Sequence, residues 1–321
     1  MTTAAAIDIG SNSVHLLVAE VAPDGTLQTL TDESLQLGLG LTVQRQGRMG
    51  AAARRSVVAA VDGFAARAVE LGASRALLMG TQPLRRATDR SLLRLAIRDA
   101  TGLELMVLDH DQEATLTLLG VTGGRDVGAL SLVMDVGGGS SEVILVAPGG
   151  APVVGAFAVG SARLSDAVVA HDPPTAAEVA ELRARARALV EPLFAATPAR
   201  GIVSGGSGTN ISRLLGRERT TPVTIDDLET GLVLLQAQPA ADLALATGLT
   251  ERRVRQLAAG IALVGALMDR YHLSVTAVSD AGLREGAVLA AERFGAGWIA
   301  GLRGLASTQH SDAAGNPPDG A

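Results

Sequence analysis

Residues 130–146 read L-S-L-V-M-D-V-G-G-G-S-S-E-V-I-L-V, and this stretch decides the fold. An apolar run ends in Asp135, a turn of Gly137, Gly138, Gly139, Ser140 and Ser141 follows, and a second apolar run leads away from Val143. The pattern is that of two buried strands joined by a turn. Three successive glycines strip every Cβ from the turn, so its backbone N–H groups form a concave row open to an anion, phosphate above all. The carboxylate of Asp135 belongs at the strand end beside that row. Carboxylate and phosphate are compatible neighbours where a divalent cation bridges them. An ordinary glycine-rich hairpin has the same local grammar, and a glycine motif by itself does not choose between the two.

The chain supplies a second copy. Residues 4–21 read A-A-A-I-D-I-G-S-N-S-V-H-L-L-V-A-E-V, again an apolar run ending in Asp-x-Gly, here Asp8 and Gly10. A small polar turn of Ser11, Asn12 and Ser13 follows, then another apolar strand. Two units of one form, one in each half, predict a duplicated domain.

A chain of 321 residues is long enough for two domains with a sizeable core. Its residues are 47% hydrophobic but only 2% aromatic, so that core must be built from Ala, Val, Leu and Ile. A net charge of −6 argues against a nucleic-acid coat. Without cysteine there are no disulfides, thiolate zinc sites or cysteine nucleophiles. All 27 basic residues are arginine. A Walker P-loop, a protein kinase and a Schiff-base enzyme each need lysine, so all three are excluded. No basic region precedes the first apolar stretch, and the longest apolar run, Leu257 to Met268, is too short for a bilayer, which predicts a cytoplasmic protein with no membrane segment.

Periodicity predicts a third strand at Thr26–Leu37, a long helix at Met49–Leu71 and a short buried strand at Arg75–Met79 that runs into Gly80-Thr81-Gln82-Pro83-Leu84-Arg85-Arg86. A helix at Asp89–Ala100, a strand at Leu103–Leu108 and a helix at Asp109–Leu119 complete an α/β layer domain. Gly120–Gly128 reads as a glycine-rich link between a first domain at 1–124 and a second at 125–306. The second half adds a strand near Pro152–Phe157, a helix at Thr175–Phe194 and a strand at Gly201–Ser204 followed by Gly205-Gly206-Ser207-Gly208-Thr209-Asn210, with a helix from Ile211. Further helices are expected at Asp226–Gln236 and Thr250–His272, a strand at Ser274–Val278 and a closing helix at Leu283–Phe294. The small, polar residues 307–321 are expected to be disordered.

Three more pieces face ligand in this reading. Gly205 to Gly208 opens a helix, which is a ready anion site or a simple tight cap. Arg85 follows a strand's carboxyl end, where α/β sheets bind ligands, although most single arginines are surface residues. Glu113, in D-H-D-Q-E-A-T-L, stands in the first turn of its helix, where a glutamate commonly serves as a cap. Asp109 and Asp111 beside it already supply negative charge and would raise its proton affinity, the direction a general base requires.

D-I-G-S-N-S at 8–13, T-Q-P-L-R at 81–85, Q-E-A at 112–114, D-V-G-G-G-S-S-E at 135–142, G-G-S-G-T at 205–209 and G-L-R-E-G at 282–286 together resemble the exopolyphosphatase / guanosine pentaphosphate phosphohydrolase family, in the family's order and across Ile7 to Gly286. The resemblance implies two RNase H-like domains of the actin/sugar-kinase/Hsp70 type, an active site in the cleft between them, and a closing helix, about 283–304, that returns to the first domain. It implies Glu113 as the catalytic glutamate that activates water. It puts Asp135 on the side of a magnesium ion (manganese as an alternative), with Glu142 behind it and Asp8 facing from the first domain. Ser11, Asn12, Ser13 and Arg85 match first-domain phosphate contacts; Gly137, Gly138, Gly139, Ser140, Gly206 and Ser207 match those of the second. The implied substrate is inorganic polyphosphate or guanosine pentaphosphate, and the implied assembly a homodimer. Two positions depart from the family: Thr115 and Gln36 stand where arginine is common. Both remove positive charge, which points to short chains, and the absence of extra helical domains after the second points to a short form. A sugar or acetate-type kinase, or a nucleotide-binding protein without catalysis, would share the fold; no acceptor-site motif supports the first, and Glu113 speaks against the second.

Overall fold

The structure is a computed structural model that describes residues 1–305. The segment 307–321, expected to be disordered, lies outside the described residues. In chain order the elements are β1 (Thr2–Ile9), β2 (Ser13–Val21), β3 (Leu27–Gln36), α1 (Leu39–Gln46), α2 (Gly50–Glu70), β4 (Arg75–Gly80), α3 (Gln82–Arg86), α4 (Arg90–Thr101), β5 (Leu105–Val107) and α5 (His110–Thr122). Then come β6 (Ser131–Val136), β7 (Ser141–Val146), β8 (Val153–Phe157), α6 (Ser161–Val168), α7 (Ala176–Val190), β9 (Arg200–Ser204), α8 (Gly205–Leu214), β10 (Val223–Thr224), α9 (Ile225–Ala237), α10 (Ala240–Thr247), α11 (Glu251–Arg270), β11 (Val275–Val278), α12 (Leu283–Phe294) and α13 (Trp298–Leu305).

The chain divides into two compact units. The first holds Met1–Asp126, the turn Gly137–Gly139 and the chain from Ser279; the second holds Val127–Val136 and Ser140–Val278.

In the first unit the sheet runs β3-β2-β1-β4-β5. β1 pairs antiparallel with β2 and parallel with β4, so this hairpin strand is central. Its sequence explains that place. Ala4 to Ile7 and Ile9 are all buried, as a strand covered on both faces must be. Alternation sends Ala5, Ile7 and Ile9 into a core with Val57, Val61, Leu93 and Ile97, while Ala4 and Ala6 join Leu116, Leu119, Ala287 and Val288 on the other face. The helix α12 thus closes the first unit, packed along α5.

In the second unit the order is β10-β11-β9-β6-β7-β8. β6 pairs antiparallel with β7 and parallel with β9, the same arrangement as β1 with β2 and β4. The repeat seen in sequence is therefore a repeat of sheet topology, and the expected two-sheet α/β class is the one observed. The core there lies between this sheet and α7, α9 and α11, with Leu257 to Met268 supplying much of it. Among the described residues no helix is long and apolar enough to cross a membrane.

The segment after β4, left without an element in the sequence reading, forms the short helix α3 at Gln82–Arg86, with Pro83 in its first turn where a missing N–H costs nothing. Two expectations about local structure are corrected. The helix expected from Ile211 already begins at Gly205, because its small residues let the first turn pack; a Cβ on Gly208 would sit 2.7 Å from Val203 Cγ1. Gly120 is no linker residue. α5 runs through it to Thr122 and stops at Gly123, whose φ of 61° makes the left-handed cap. The helices α1, α6 and α10 are additions to the sequence reading.

Candidate active site

The first unit gathers its candidate residues around α3. At the end of β1 the turn Ser11–Ser13 is pinned by backbone bonds: Leu37 N–H and Gly38 N–H donate to Asn12 O at 3.0 and 2.8 Å, and Gly40 N–H donates to Ser11 O at 2.8 Å. Gly40 has no room for a side chain, since a Cβ there would lie 2.8 Å from Ser11 Cβ. Ser11 Oγ donates to Gln82 Oε1 at 3.3 Å, which ties this turn to one end of α3. Ser13 Oγ lies 2.6 Å from His15 Nε2.

Arg85, at the other end of α3, reaches α5. Its Nη1 donates to Glu113 Oε2 at 2.5 Å and to Leu108 O at 2.9 Å, and its Nη2 lies 3.4 Å from His110 Nδ1. Glu113 is 8% exposed. The cap of α5 is made by others: Asp109 Oδ1 accepts from Gln112 N–H at 2.8 Å and Gln112 Oε1 accepts from Asp109 N–H at 3.0 Å. With the cap so filled, the Glu113 carboxylate turns to the guanidinium instead. Burial and the Arg85 charge hold the His110 pKa below its usual 6.5, against the opposing pull of Glu113, Asp109 and Asp111, so the ring is neutral at neutral pH. Nothing in the sequence flagged His110; its only signal was its place three residues before Glu113, one turn of helix away.

Asp8, one residue before the end of β1, feels the charge of Arg284 on α12, which also hydrogen-bonds Asp32 on β3. Burial works against the Arg284 cation, but the Asp32 bond and the charges of Glu285, Asp32 and Asp8 outweigh it and raise its pKa.

In the second unit Asp135 and Glu142 stand directly opposite each other across β6 and β7, and Asp135 is also level with Ser204 of β9. Residues so paired share one face of the sheet, and two like charges there repel. Glu142 is only 2% exposed, which sharpens the conflict. A hard divalent cation resolves it: carboxylate oxygens are the donors Mg²⁺ takes, and these two residues would hold it. The helix α8 starts against the same carboxylate. Gly205 has a φ of 81°, and a Cβ there would fall 2.6 Å from Asp135 Oδ1, so only glycine turns the chain at this point. The first-turn N–H groups of α8, Gly206 and Ser207 among them, have no partners inside the helix and carry its positive pole. The Ser207 hydroxyl itself donates to Val136 O at 2.7 Å. Ser140 is buried just after the glycine turn, and Ser141 Oγ donates to Val159 O at 3.0 Å. Sequence reasoning missed Arg253, whose Nη1 lies 3.9 Å from where a Gly206 Cβ would be, and Asn210, whose Nδ2 lies 3.7 Å from it. Arg253 comes from α11, far along the chain, and its spacing from α8 carries no signal.

Thr115 Oγ1 and Gln36 Oε1, at the two positions where the sequence lacks an expected arginine, are buried with no hydrogen-bond partner.

Two sheets of one topology, each with a carboxylate near the end of its central hairpin strand, define a class: a two-sheet α/β protein made of two units with the same strand arrangement. The family model for the Ppx/GppA phosphatase family matches residues 17–293, and the chain belongs to that family. It is 27% identical over 298 residues to Exopolyphosphatase 1 of Mycobacterium tuberculosis, which covers 88% of this chain and 86% of the relative. A guanosine-5'-triphosphate,3'-diphosphate pyrophosphatase of Photobacterium profundum is 34% identical over 145 residues, 44% of this chain and 28% of the relative. Among solved structures, the Ppx/GppA family member of Aquifex aeolicus superposes with a TM-score of 0.78 at 22% identity, over 91% of this chain and 98% of that one. That likeness establishes the fold.

Proposed function

We propose that this phosphatase is an exopolyphosphatase that hydrolyses the terminal phosphoanhydride of inorganic polyphosphate, with Mg²⁺ or Mn²⁺ held by Asp135 and Glu142. The observation that carries the reading is Glu113: a buried carboxylate, excluded from its helix cap and aimed by Arg85. In this reading Glu113 orients a water and takes its proton as the water oxygen bonds to the terminal phosphorus; the bond from that phosphorus to the bridging oxygen breaks, the chain shortened by one phosphate leaves with the bridging oxygen, and the attacked phosphorus is released as orthophosphate. Hydroxyls of Ser11 and Ser13 with the Asn12 amide, and the N–H groups of Gly137, Gly138, Gly139, Ser140, Gly206 and Ser207, hold the chain. Held by Asp135 and Glu142, the metal would supply positive charge to offset that of the phosphoryl group. Arg85 serves twice, as partner of Glu113 and as a cation for phosphate. Such chemistry is mostly positioning and electrostatics, so no covalent nucleophile is required. Loss of arginine at Thr115 and Gln36 favours short chains.

The test is orthophosphate release from polyphosphates of graded length, with Mg²⁺ and Mn²⁺ compared. Glu113→Gln should lose about 10²–10⁴-fold in turnover with binding retained, the usual worth of a general base. Wild-type turnover in that variant would remove Glu113 from the role. The Photobacterium profundum relative, by its name, supports a second reading, hydrolysis of guanosine pentaphosphate; faster release from that nucleotide than from polyphosphate of any length would favour it.

A further inference from the structure

We infer that Gly120 and Gly286 form a backbone-to-backbone seam whose function is to set the position of Glu113, which makes both glycines positioning residues; the inference rests on the role proposed for Glu113. On α5, Glu113 and Gly120 are seven residues apart, two turns on one stripe of the helix. At Gly120 the helix α12 touches it with nothing between. A Cβ on Gly120 would lie 2.0 Å from Gly282 O, and a Cβ on Gly286 would lie 1.8 Å from Leu116 O and 3.0 Å from Gly120 N. The atoms met are backbone, so no rotamer change relieves them. Ordinary carbon contacts need about 3.5 Å, so one added methyl displaces a helix by well over an ångström. The displacement passes along α5 to Glu113, roughly 10 Å away at 1.5 Å per residue, because a helix moves as a rod. The start of α12 is itself fixed: Glu285 Oε2 accepts from Gly282 N–H at 2.8 Å, holding the carbonyl against which Gly120 rests. Glycine here is expensive for helix propensity, at two sites inside helices, and close approach is the reason to keep it. A misplacement of about 1 Å at a reacting group costs on the order of 10²-fold in rate.

The experiment uses the full chain and polyphosphate hydrolysis. Gly286→Ala and Gly120→Ala should each lower kcat about 10²-fold and leave KM within about threefold, because the phosphate contacts do not ride on α5. The single tryptophan, Trp298, is packed in one cluster with Leu116 and Leu119, and its emission should shift in both variants. Val288→Ala is the control: it opens a cavity in the same helix without pushing the backbone, and it should lower the melting temperature while kcat stays within about threefold. If the alanine variants fail to fold, Glu285→Ala, which removes the cap on Gly282 without adding bulk at the seam, should fold and lose several-fold in kcat at unchanged KM. A folded Gly286→Ala or Glu285→Ala with wild-type kcat overturns the inference, and so does a Val288→Ala that loses kcat as steeply. A wild-type chain that releases no phosphate refutes instead the hydrolase reading, and the positioning role with it.

Discussion

Arg85→Met should destabilise the protein more than Glu113→Gln, and the double variant should be more stable than the sum of the two predicts. The bond between the two side chains is 2.5 Å long, with 17% of the arginine side chain and 10% of the glutamate side chain exposed. Removing one partner from a buried ion pair costs roughly 3–5 kcal/mol, because a charge is left in a poor solvent. Arg85 retains some water, so about 3 kcal/mol is the fitting value for Arg85→Met, which leaves the Glu113 carboxylate without its guanidinium. Glu113→Gln keeps an oxygen that accepts from Nη1, and loses about 1–2 kcal/mol, the share due to charge. In the double variant neither charge remains, and a coupling of about 1–2 kcal/mol should return. At about 2–4 °C per kcal/mol, Arg85→Met melts roughly 6–12 °C below wild type. Calorimetry on the four proteins at low and high salt is the assay; salt should not remove the coupling, since a pair so buried is poorly screened. Additive melting shifts, or an Arg85→Met protein as stable as wild type, would refute the account of how Glu113 is held.

Asp135→Asn should shift Mg²⁺ activation to higher concentration, and an unchanged Mg²⁺ titration would count against its place at the metal. Glu142→Gln should raise thermal stability in chelator, by ending the repulsion across β6 and β7, and reduce the stabilisation that added Mg²⁺ gives; a destabilised variant in chelator would contradict this. Asp227, in the second unit, accepts from Arg217 and from Thr224 N–H, and these hold its pKa at about 2 against an ordinary 3.8. A depressed carboxylate stabilises the fold above 3.8 and loses that contribution as pH falls toward 2, so Asp227→Asn should flatten the melting curve against pH in that window and leave its shape near pH 7 unchanged.

The hairpins were legible because their grammar is local. Asp8 and Asp135 close apolar runs, glycines and serines follow, and neither needs a distant residue to be recognised. The repeated strand order followed from the same two stretches. What was not legible depended on partners far along the chain. Gly120 looked like punctuation, since a glycine near the end of a helical pattern usually ends it; only Gly282 and Gly286, over 160 residues on, show that it serves contact. Glu113 looked equally like a cap, and the deciding facts were that Asp109 and Gln112 complete the cap alone and that Arg85 is within reach. Arg253 and His110 lay outside any motif. The helices α1 and α6 were missed because their sequences, L-G-L-T-V-Q-R-Q and S-A-R-L-S-D-A-V, are short and mix helix formers with glycine, serine and threonine.

Between Thr2 and Asp8, the face that β1 turns toward α5 and α12 carries only the methyls of Ala4 and Ala6, while its opposite face carries Ile7 and Ile9. The sheet is therefore thin along the middle of this one strand, between Leu17 of β2 and Leu77 and Met79 of β4, and the layer above β1 is gauged to that thinness. Lineages drifting at these alanines have little latitude to enlarge them singly: an Ala6→Val change would have to be met by trimming Val288 or Leu116, so substitutions there should accumulate as compensated pairs whose summed volume stays constant.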